Sequence, residues 1–284
     1  MAKLVISDFS RMAKSLCFRI YMGFAAIYGV ITVLSEYISL CNAQNMGFDV
    51  NFAIDRLAFN GLLAIMFAAA VFAGMFVGRE YSDGTIRNKL VVGHGRFGIY
   101  LSNFTVCAAV NVLALLINLI AVFSIGIPLM GIDMSAGEAA VNIVVSVIAI
   151  VSITALFIFI AMLVKSKASA LVILLLFTFF MFGATSFVDS RLEEPEYYGG
   201  MELVATEDNG FEYRMAEQEK NPYYLEGDAR KAFEFLNDFL PSSQLYRIAS
   251  LNAPELAKTA IYDIIVLIAV TEAGILLFRK KDIK

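Results

Sequence analysis

The residues best suited to chemistry lie in one short charged segment, residues 78–100, with the sequence GREYSDGTIRNKLVVGHGRFGIY. The twenty residues on its N-terminal side carry no charge, whereas the segment itself contains Arg79, Glu80, Asp83, Arg87, Lys89 and Arg96. Carboxylates and basic groups at this density can form charge-assisted hydrogen bonds, within the chain or to a partner. Because lipid would not tolerate such a segment, we expect it to lie outside the membrane plane.

Residues that carry out catalysis are scarce. His94 is the single histidine, and its two glycine neighbours indicate a turn residue. The sequence contains no Walker A loop and no H-E-x-x-H, G-x-S-x-G or paired C-x-x-C motif. The three cysteines, Cys17, Cys41 and Cys107, lack the spacing of a metal or redox site. We therefore predict no catalytic residue, no metal site, no bound cofactor and no ATPase activity in this chain.

Long apolar runs surround the charged segment. Hydrophobic residues make up 59% of the 284 residues, charged residues make up 17%, and the mean hydropathy is +0.73. A helix needs about 20 apolar residues to cross roughly 30 Å of hydrocarbon. The runs predict six spans, at residues 20–40, 57–78, 99–123, 139–164, 168–188 and 259–278. The predicted fold is therefore an all-α polytopic membrane protein, with residues 1–284 as one transmembrane domain.

Lys and Arg residues predict the orientation of these spans. With the N-terminus inside, the cytoplasmic segments collect fourteen Lys and Arg residues, whereas the outside loops 41–56 and 124–138 contain only Arg56. Cytoplasmic loops of membrane proteins carry such an excess. We predict a multi-pass protein of the bacterial cell membrane, with both termini and the charged segment in the cytoplasm.

Two segments outside the spans have patterns of their own. Residues 3–19 predict an amphipathic helix in the headgroup plane, with a cytoplasmic extension of the first span as the alternative. Its predicted apolar side carries Phe9, Met12, Ala13 and Leu16, and its polar side carries Asp8, Arg11, Lys14, Ser15 and Arg19.

The second segment, residues 189–258, is predicted to be an extracellular insertion between spans 5 and 6. Alternating apolar residues around Asn209-Gly210 predict a small β-hairpin with a type I′ turn. A helix is predicted over residues 229–240, ended by Pro241, and Ser242 or Ser243 is expected to cap a further short helix. The apolar faces of both helices are expected to lie against the outer ends of the spans.

Three ionisable residues fall inside the predicted spans: Glu36, Asp263 and Glu272. Charges within a span are costly and tend to face a bundle interior or a wet cavity, so these residues are candidates for a transport path. Alternatively, Glu36 and Asp263 reach headgroups or water near the outer ends of their spans. The alternative for Glu272 is an ion pair with Arg279 or Lys280.

The charged segment resembles a family signature. Residues 80–89, EYSDGTIRNK, resemble the E-Y-x-x-G-T-x-R signature of ABC-2 type transporter permeases, the membrane subunits of one class of ATP-driven exporters. That signature follows the second span on the cytoplasmic side, where this sequence has it. Residues 238–243, DFLPSS, resemble the outer segment of the family, and residues 278–283, FRKKDI, resemble its usual ending. The specific motif covers ten residues, whereas the similarity in topology covers the chain.

The resemblance implies a mechanism. A second permease copy or a sister permease would pair with this chain in the bilayer, and two ABC ATP-binding subunits would supply ATP and Mg. The charged segment would form the coupling helix, and ATP-driven closure would reach the spans as alternating access. The family motif places this role on Glu80, Tyr81, Gly84, Thr85 and Arg87. The implied function is export of a peptide or amphipathic compound, without a nucleic-acid partner.

The residue types suggest how the motif is built. Gly84 permits a tight turn, Thr85 is expected to cap a short helix, and Tyr81 can bury its ring with its hydroxyl bonded. Glu80 and Arg87 can bond to an ATPase or back to the N-terminal helix, and the alternative is that they only pair locally and hold the turn.

A second class of function stays open. Residues 189–257 hold fifteen acidic and six basic side chains. In a membrane sensor or immunity component, this acidic insertion would bind an extracellular peptide and the spans would transport nothing. An ion channel is disfavoured, because no predicted span shows a repeated filter-like or charge-lined face.

Overall fold

The structure, a computed structural model, describes residues 2–48, 53–199, 201–205, 211–215, 219–251 and 255–282. Within these ranges six helices are long and apolar enough to cross a membrane, which confirms the predicted all-α polytopic architecture. They are α2 (Leu16–Asn45), α4 (Gly61–Ser82), α6 (Arg96–Met130), α7 (Ala136–Leu163), α8 (Lys167–Glu193) and α11 (Leu256–Lys280). The shorter elements are α1 (Ala2–Ala13), α3 (Asp55–Ala58), α5 (Thr85–Val91), β1 (Tyr197–Tyr198), β2 (Met201–Ala205), β3 (Phe211–Met215), β4 (Glu219–Lys220), α9 (Gly227–Phe239) and α10 (Pro241–Ala249).

Three of the long helices form the centre of the bundle. α4, α6 and α7 are mostly buried, whereas α2, α8 and α11 are mostly exposed. α2 packs on α6 and α4, α8 packs on α4, and α11 packs on α7. The uncovered faces of these three outer helices are mostly apolar, as lipid requires, although Glu272 of α11 is exposed. Buried amides join α2 to the centre: Tyr21 donates to Asn111 Oδ1 at 3.1 Å, and Asn118 donates to the Ala25 carbonyl at 3.0 Å.

Most of the long helices run further than the predicted spans. α6 has 35 residues, about 52 Å of helix, whereas the predicted span was 99–123. Apolar composition marks only the part of a helix that lies in hydrocarbon, and a helix can continue into the polar zone. The second span begins four residues later than the predicted residue 57, because the short helix α3 ends at Ala58 and α4 begins at Gly61.

The N-terminal segment differs from its prediction in two ways. The helix ends at Ala13 rather than at residue 19, and Ser15 caps the separate helix α2 by accepting from the Phe18 N–H at 3.2 Å. The predicted faces were wrong in part. Met12 is buried and Lys14 and Arg19 are exposed, as predicted. However, Asp8 is buried, with 2% of its surface exposed, and Leu16 is 62% exposed. α1 packs against α6. Its location in the headgroup plane stays a prediction.

The two helices between α8 and α11 pack differently. α10 lies against α7, α8 and α4 with Leu245 and Ile248 fully buried. The described α9 has no buried residue and touches its neighbours through aromatic pairs such as Phe235–Tyr262. The expected contact with the span ends is therefore complete for α10 and partial for α9.

The predicted cap of α10 was wrong. Pro241 is the first residue of α10, and neither serine caps it. Both serines are buried against α8: the Thr185 hydroxyl donates to Ser242 Oγ at 2.7 Å, and Ser243 donates to Thr185 Oγ1 at 3.2 Å. Pro241 has a φ suited to the first helical turn, so α10 begins there without a side-chain cap. The two serines bond to α8 instead.

Two short antiparallel strand pairs precede α9. β2 pairs with β3, with Leu203 opposite Tyr213, and β1 pairs with β4, with Tyr198 opposite Glu219. The predicted turn at Asn209-Gly210 lies outside the described residues.

Candidate functional site

The charged segment folds as a sharp corner between α4 and α5. Gly84 adopts φ +67°, a left-handed conformation that favours glycine, and its N–H donates to the Tyr81 carbonyl at 3.2 Å. This is the tight turn that the sequence predicts. Thr85 does not cap α5 as expected: it is the first residue of the helix, and Gly84 occupies the cap position without a side-chain bond.

α5 has a buried side and an open side. Ile86 is buried, whereas Arg87 and Asn88 are exposed. Beyond them, Val91 and Val92 are 79% and 77% exposed at the end of the helix. The chain then turns through Gly93 and His94 into α6, as the lone histidine between glycines predicts. The corner therefore presents charged, polar and apolar side chains together.

Glu80 lies at the centre of a buried ion cluster, formed by Asp8, Arg11, Glu80 and Lys89. Arg11 and Lys89 both pair with Glu80, which has no exposed surface. Lys89 Nζ is 2.8 Å from Asp8 Oδ1, and Arg11 is 3.4 Å from the same oxygen. The four formal charges cancel, as burial of ions requires.

Two polar residues of α6 complete the bonding of this cluster. The Ser102 hydroxyl donates to Asp8 Oδ2 at 2.6 Å, and the Asn103 amide donates to Glu80 Oε2 at 2.7 Å. The cluster therefore joins four helices, α1, α4, α5 and α6, at one point.

The structure gives different surroundings to Glu80 and Arg87, which the sequence motif treats alike. Glu80 bonds back to the N-terminal helix, one of the predicted alternatives, and is closed to any partner in this conformation. Arg87 is exposed, and it makes no ion pair in the part of the chain that the structure describes. Glu80 is thus suited to hold the corner, and Arg87 is suited to contact another molecule.

A second set of contacts ties Tyr81 to the C-terminal end of α11. The Tyr81 hydroxyl donates to the Met162 carbonyl at 2.6 Å, as expected of a half-buried tyrosine. Lys281 donates to the Tyr81 hydroxyl at 2.9 Å and to the Met162 carbonyl at 2.8 Å, with its Nζ 4.0 Å from the ring centre. Burial, with a smaller effect from Lys165, lowers the pKa of Lys281 to about 8. Arg96 also binds this end, through the Phe278 carbonyl at 3.0 Å.

Four of the five predicted coupling residues line one small cleft of about 200 Å³: Glu80, Tyr81, Gly84 and Arg87. The cleft is also lined by Ser82, Ile86, Lys165 of the α7–α8 connection and Asp282, but not by Thr85. The cleft therefore brings together α4, α5, the α7–α8 connection and the C-terminal segment.

Sequence reasoning missed several members of this site. Asp8 was placed on the polar face, although it lies midway between the buried Leu4 and Met12 at intervals of four residues. That spacing was the available signal for Asp8. No comparable signal marks Ser102 or Asn103, which lie in an otherwise apolar run.

The three ionisable residues of the spans do not form one path. Asp263 is fully buried, and neither carboxyl oxygen has a hydrogen-bond partner among the described residues, although Ser152 of α7 lies close to it. The alternative in which Asp263 reaches headgroups or water was therefore wrong. Glu272 is exposed on α11, and the predicted pair with Arg279 or Lys280 is not formed within the described ranges.

Glu36 is half-buried on α2 and forms no ion pair with a described residue. None of Glu36, Asp263 and Glu272 bonds to another of the three in the described part of the chain. Their predicted role in transport stays a prediction.

Comparisons with known proteins neither support nor contradict the resemblance to ABC-2 type permeases. No family model matches this chain, and no curated protein matches its sequence. Among the described residues, no group of three or more His, Cys, Asp or Glu side chains is placed to hold a metal ion. The charged corner, which residues 78–100 form, is therefore interpreted from its own geometry and from the ten-residue signature.

Proposed function

We propose that this chain is the membrane-embedded permease subunit of an ATP-driven exporter of the ABC-2 type, and that α5 is its coupling helix. The observation that carries the proposal is the corner at Gly84. A short helix with an exposed outer side is attached by a buried ion cluster to three other helices.

The outer side of α5 has the composition of a docking surface. Val91 and Val92 expose apolar side chains beside the exposed Arg87 and Asn88. Arginine beside apolar groups is typical of protein interfaces, where it provides both charge and contact area. We infer that an ATP-binding subunit, carrying ATP and Mg, contacts this side.

The buried ion cluster supplies a route for movement. Lys89 of α5 pairs with Glu80 of α4 and with Asp8 of α1, and α1 packs on α6. A displacement of α5 therefore acts on α4 through Glu80 and on α6 through Asp8 and α1. Arg96 and Lys281 extend the connection to α11. This arrangement supports alternating access driven from the charged corner.

The proposal also includes orientation and assembly. The charged corner lies in the cytoplasm of a bacterial cell, and residues 189–258 lie outside. A second permease, identical or related, covers part of the outward apolar faces, and lipid covers the rest. The substrate is a peptide or another amphipathic compound.

The test is capture of the ATPase. The tagged chain is purified from its native membrane in mild detergent, and its partners are identified by mass spectrometry. Arg87→Ala combined with Val91→Ser removes exposed groups only, so we expect normal insertion and thermal stability. We expect recovery of the ATP-binding subunit to fall roughly tenfold or more.

Lys280→Ala is the matched control, because Lys280 is an exposed cation at the same end of the bundle but outside α5. Equal recovery of the ATPase with the double variant and the control would contradict the coupling role.

The packing of α10 favours a second candidate, a membrane sensor that binds an extracellular peptide without transporting it. α10 is buried against three spans, so a ligand on the insertion could act on them directly. β1 and β4 pair with Tyr198 opposite Glu219, so a short Gly-Ser turn can replace the residues between them. A sensor would lose its response to peptide in this variant, whereas a transporter would keep ATPase stimulation without ligand.

A further inference from the structure

Two adjoining cavities lie along the face that α2 and α4 share. The larger is an apolar groove of about 540 Å³, within the range of roughly 300–1,000 Å³ typical of ligand pockets. Phe24 of α2, Phe67 and Val71 of α4, and Leu175 of α8 line it. The Tyr21 hydroxyl is bonded inward to Asn111, so the groove wall is almost entirely apolar.

The smaller cavity, about 130 Å³, continues the groove at the end that carries the charged corner. It shares Cys17, Phe72 and Met75 with the groove. Apart from the apolar Phe76, its remaining walls are basic or polar and come from α1, the α1–α2 junction and α4: Arg11, Lys14, Ser15 and Arg79. The two cavities therefore form one amphipathic channel along the outer face of the bundle.

The basic end of this channel contains cations that are not paired with a described carboxylate. Arg11 is engaged by Asp8 and Glu80. Lys14 and Arg79 are exposed, and neither makes an ion pair within the described ranges. A bound anion would therefore find two cations that no carboxylate in the described part of the chain neutralises.

The position of this end indicates the kind of anion. Cys17 lies in the first turn of α2, so the cations are at the end of a span, where phosphate headgroups meet the hydrocarbon. Basic pockets between spans at this depth bind anionic lipid headgroups. The apolar groove opens beside the exposed Ile20 and Phe24, which face lipid rather than protein.

We propose that this channel is a binding site for an anionic phospholipid. Its phosphate lies between Lys14 and Arg79, and its acyl chains follow the groove between α2 and α4 towards Leu175. Arg11 belongs to both this site and the buried ion cluster, so the bound lipid lies next to the charged corner. The site does not depend on the proposed transport function.

The test measures lipid retention by native mass spectrometry, with the full chain released from nanodiscs that contain phosphatidylglycerol or phosphatidylcholine. We expect the wild-type chain to retain phosphatidylglycerol preferentially. Each basic group near a membrane surface contributes a few-fold to anionic lipid binding, so Lys14→Ala combined with Arg79→Ala is expected to weaken retention roughly ten- to thirtyfold.

The matched control is Arg279→Ala combined with Lys280→Ala, which removes two exposed cations from the same end of the bundle. It should retain phosphatidylglycerol as the wild type does. Ala68→Phe fills the groove without changing charge and should lower retention of the acyl chains. Its thermal midpoint, compared with wild type in lipid-free detergent, shows whether the fold is kept.

Three results would overturn the proposal. The first is equal retention of both lipids by the wild type, and the second is equal loss in the two double variants. The third is a wild-type chain that retains no lipid and instead shields the groove in a stable dimer, which would assign this face to a second copy of the chain.

Discussion

Glu80 and Asp263 are both fully buried carboxyl groups on long apolar helices, yet their surroundings are opposite. Glu80 is bonded to Arg11, Lys89 and Asn103 at the end of α4. Asp263 faces α7 without a hydrogen-bond partner among the described residues. Burial of an unpaired carboxylate costs far more than burial of the neutral acid. Glu80 therefore has basic partners, whereas Asp263 has no counter-charge among the described residues, and we predict that Asp263 is a neutral acid.

The largest expected effect on stability comes from removing one basic member of the buried ion cluster. Lys89→Ala would leave two buried carboxylates, Asp8 and Glu80, with Arg11 as their only basic partner among the described residues. Removal of one member of a buried ion pair typically costs 3–5 kcal/mol, so we expect a loss of this size in the free energy of unfolding. Thermal or denaturant unfolding of the purified protein measures it.

Arg87→Ala serves as the control for that loss, because Arg87 is an exposed basic residue on the same short helix. It should unfold as the wild type does, within about 0.5 kcal/mol. Similar stability of the two variants would show that the buried ion cluster contributes little.

Replacing each of the two carboxyl groups by a neutral amide tests the comparison between Glu80 and Asp263 directly. Glu80→Gln should destabilise the fold by several kcal/mol, because Arg11 and Lys89 lose their shared carboxylate. Asp263→Asn should change stability by less than about 1 kcal/mol, because a neutral amide replaces a neutral acid of similar shape. Infrared spectroscopy should show a protonated carboxyl band that the Asp263→Asn variant lacks.

Glu272→Gln is the control for that band, because it alters the other carboxyl of α11. A band unchanged in Asp263→Asn, together with a large loss of stability, would contradict the assignment of a neutral acid.

Lys281 is the intermediate case between these two carboxyl groups, and its effect is expected only above about pH 8. It is half-buried and bonded to carbonyl and hydroxyl oxygens, with no carboxylate partner among the described residues. Its pKa of about 8 lies below the ordinary 10.5. Below pH 8 the cost of burying the cation is fully present, so stability should rise between about pH 8 and 10.5.

Lys281→Met should remove this slope from a plot of thermal midpoint against pH. A slope of the same size in Lys281→Met would assign the pH dependence to another group.

The parts of the fold that lipid dictates could be predicted from the sequence. The six spans and the turn at Gly84 follow from apolar run length and from the freedom of glycine at positive φ. The helix ends could not be predicted, because α6 continues beyond the apolar run that marks it. The break before Ser15 was missed, because a basic helix and an apolar helix in succession give one continuous pattern.

The candidate site was predicted only in part. The motif drew attention to Glu80 and Tyr81, and the expectation that their polar atoms are bonded was correct. Which residues supply those bonds could not be predicted. Asp8 looked like a solvated residue, because periodicity alone does not show that α1 packs against α6.

The sequence by itself determined that this chain has six membrane-spanning helices with a charged corner between the second and third, because hydrocarbon admits only long apolar helices. Only the tertiary structure decided which charges neutralise one another. Asp8, Glu80 and Lys89 meet through the packing of α1, α4 and α5, and Asp263 meets no counter-charge among the described residues. The strength of a charge pair depends on distance and burial, and neither is set until the helices have packed.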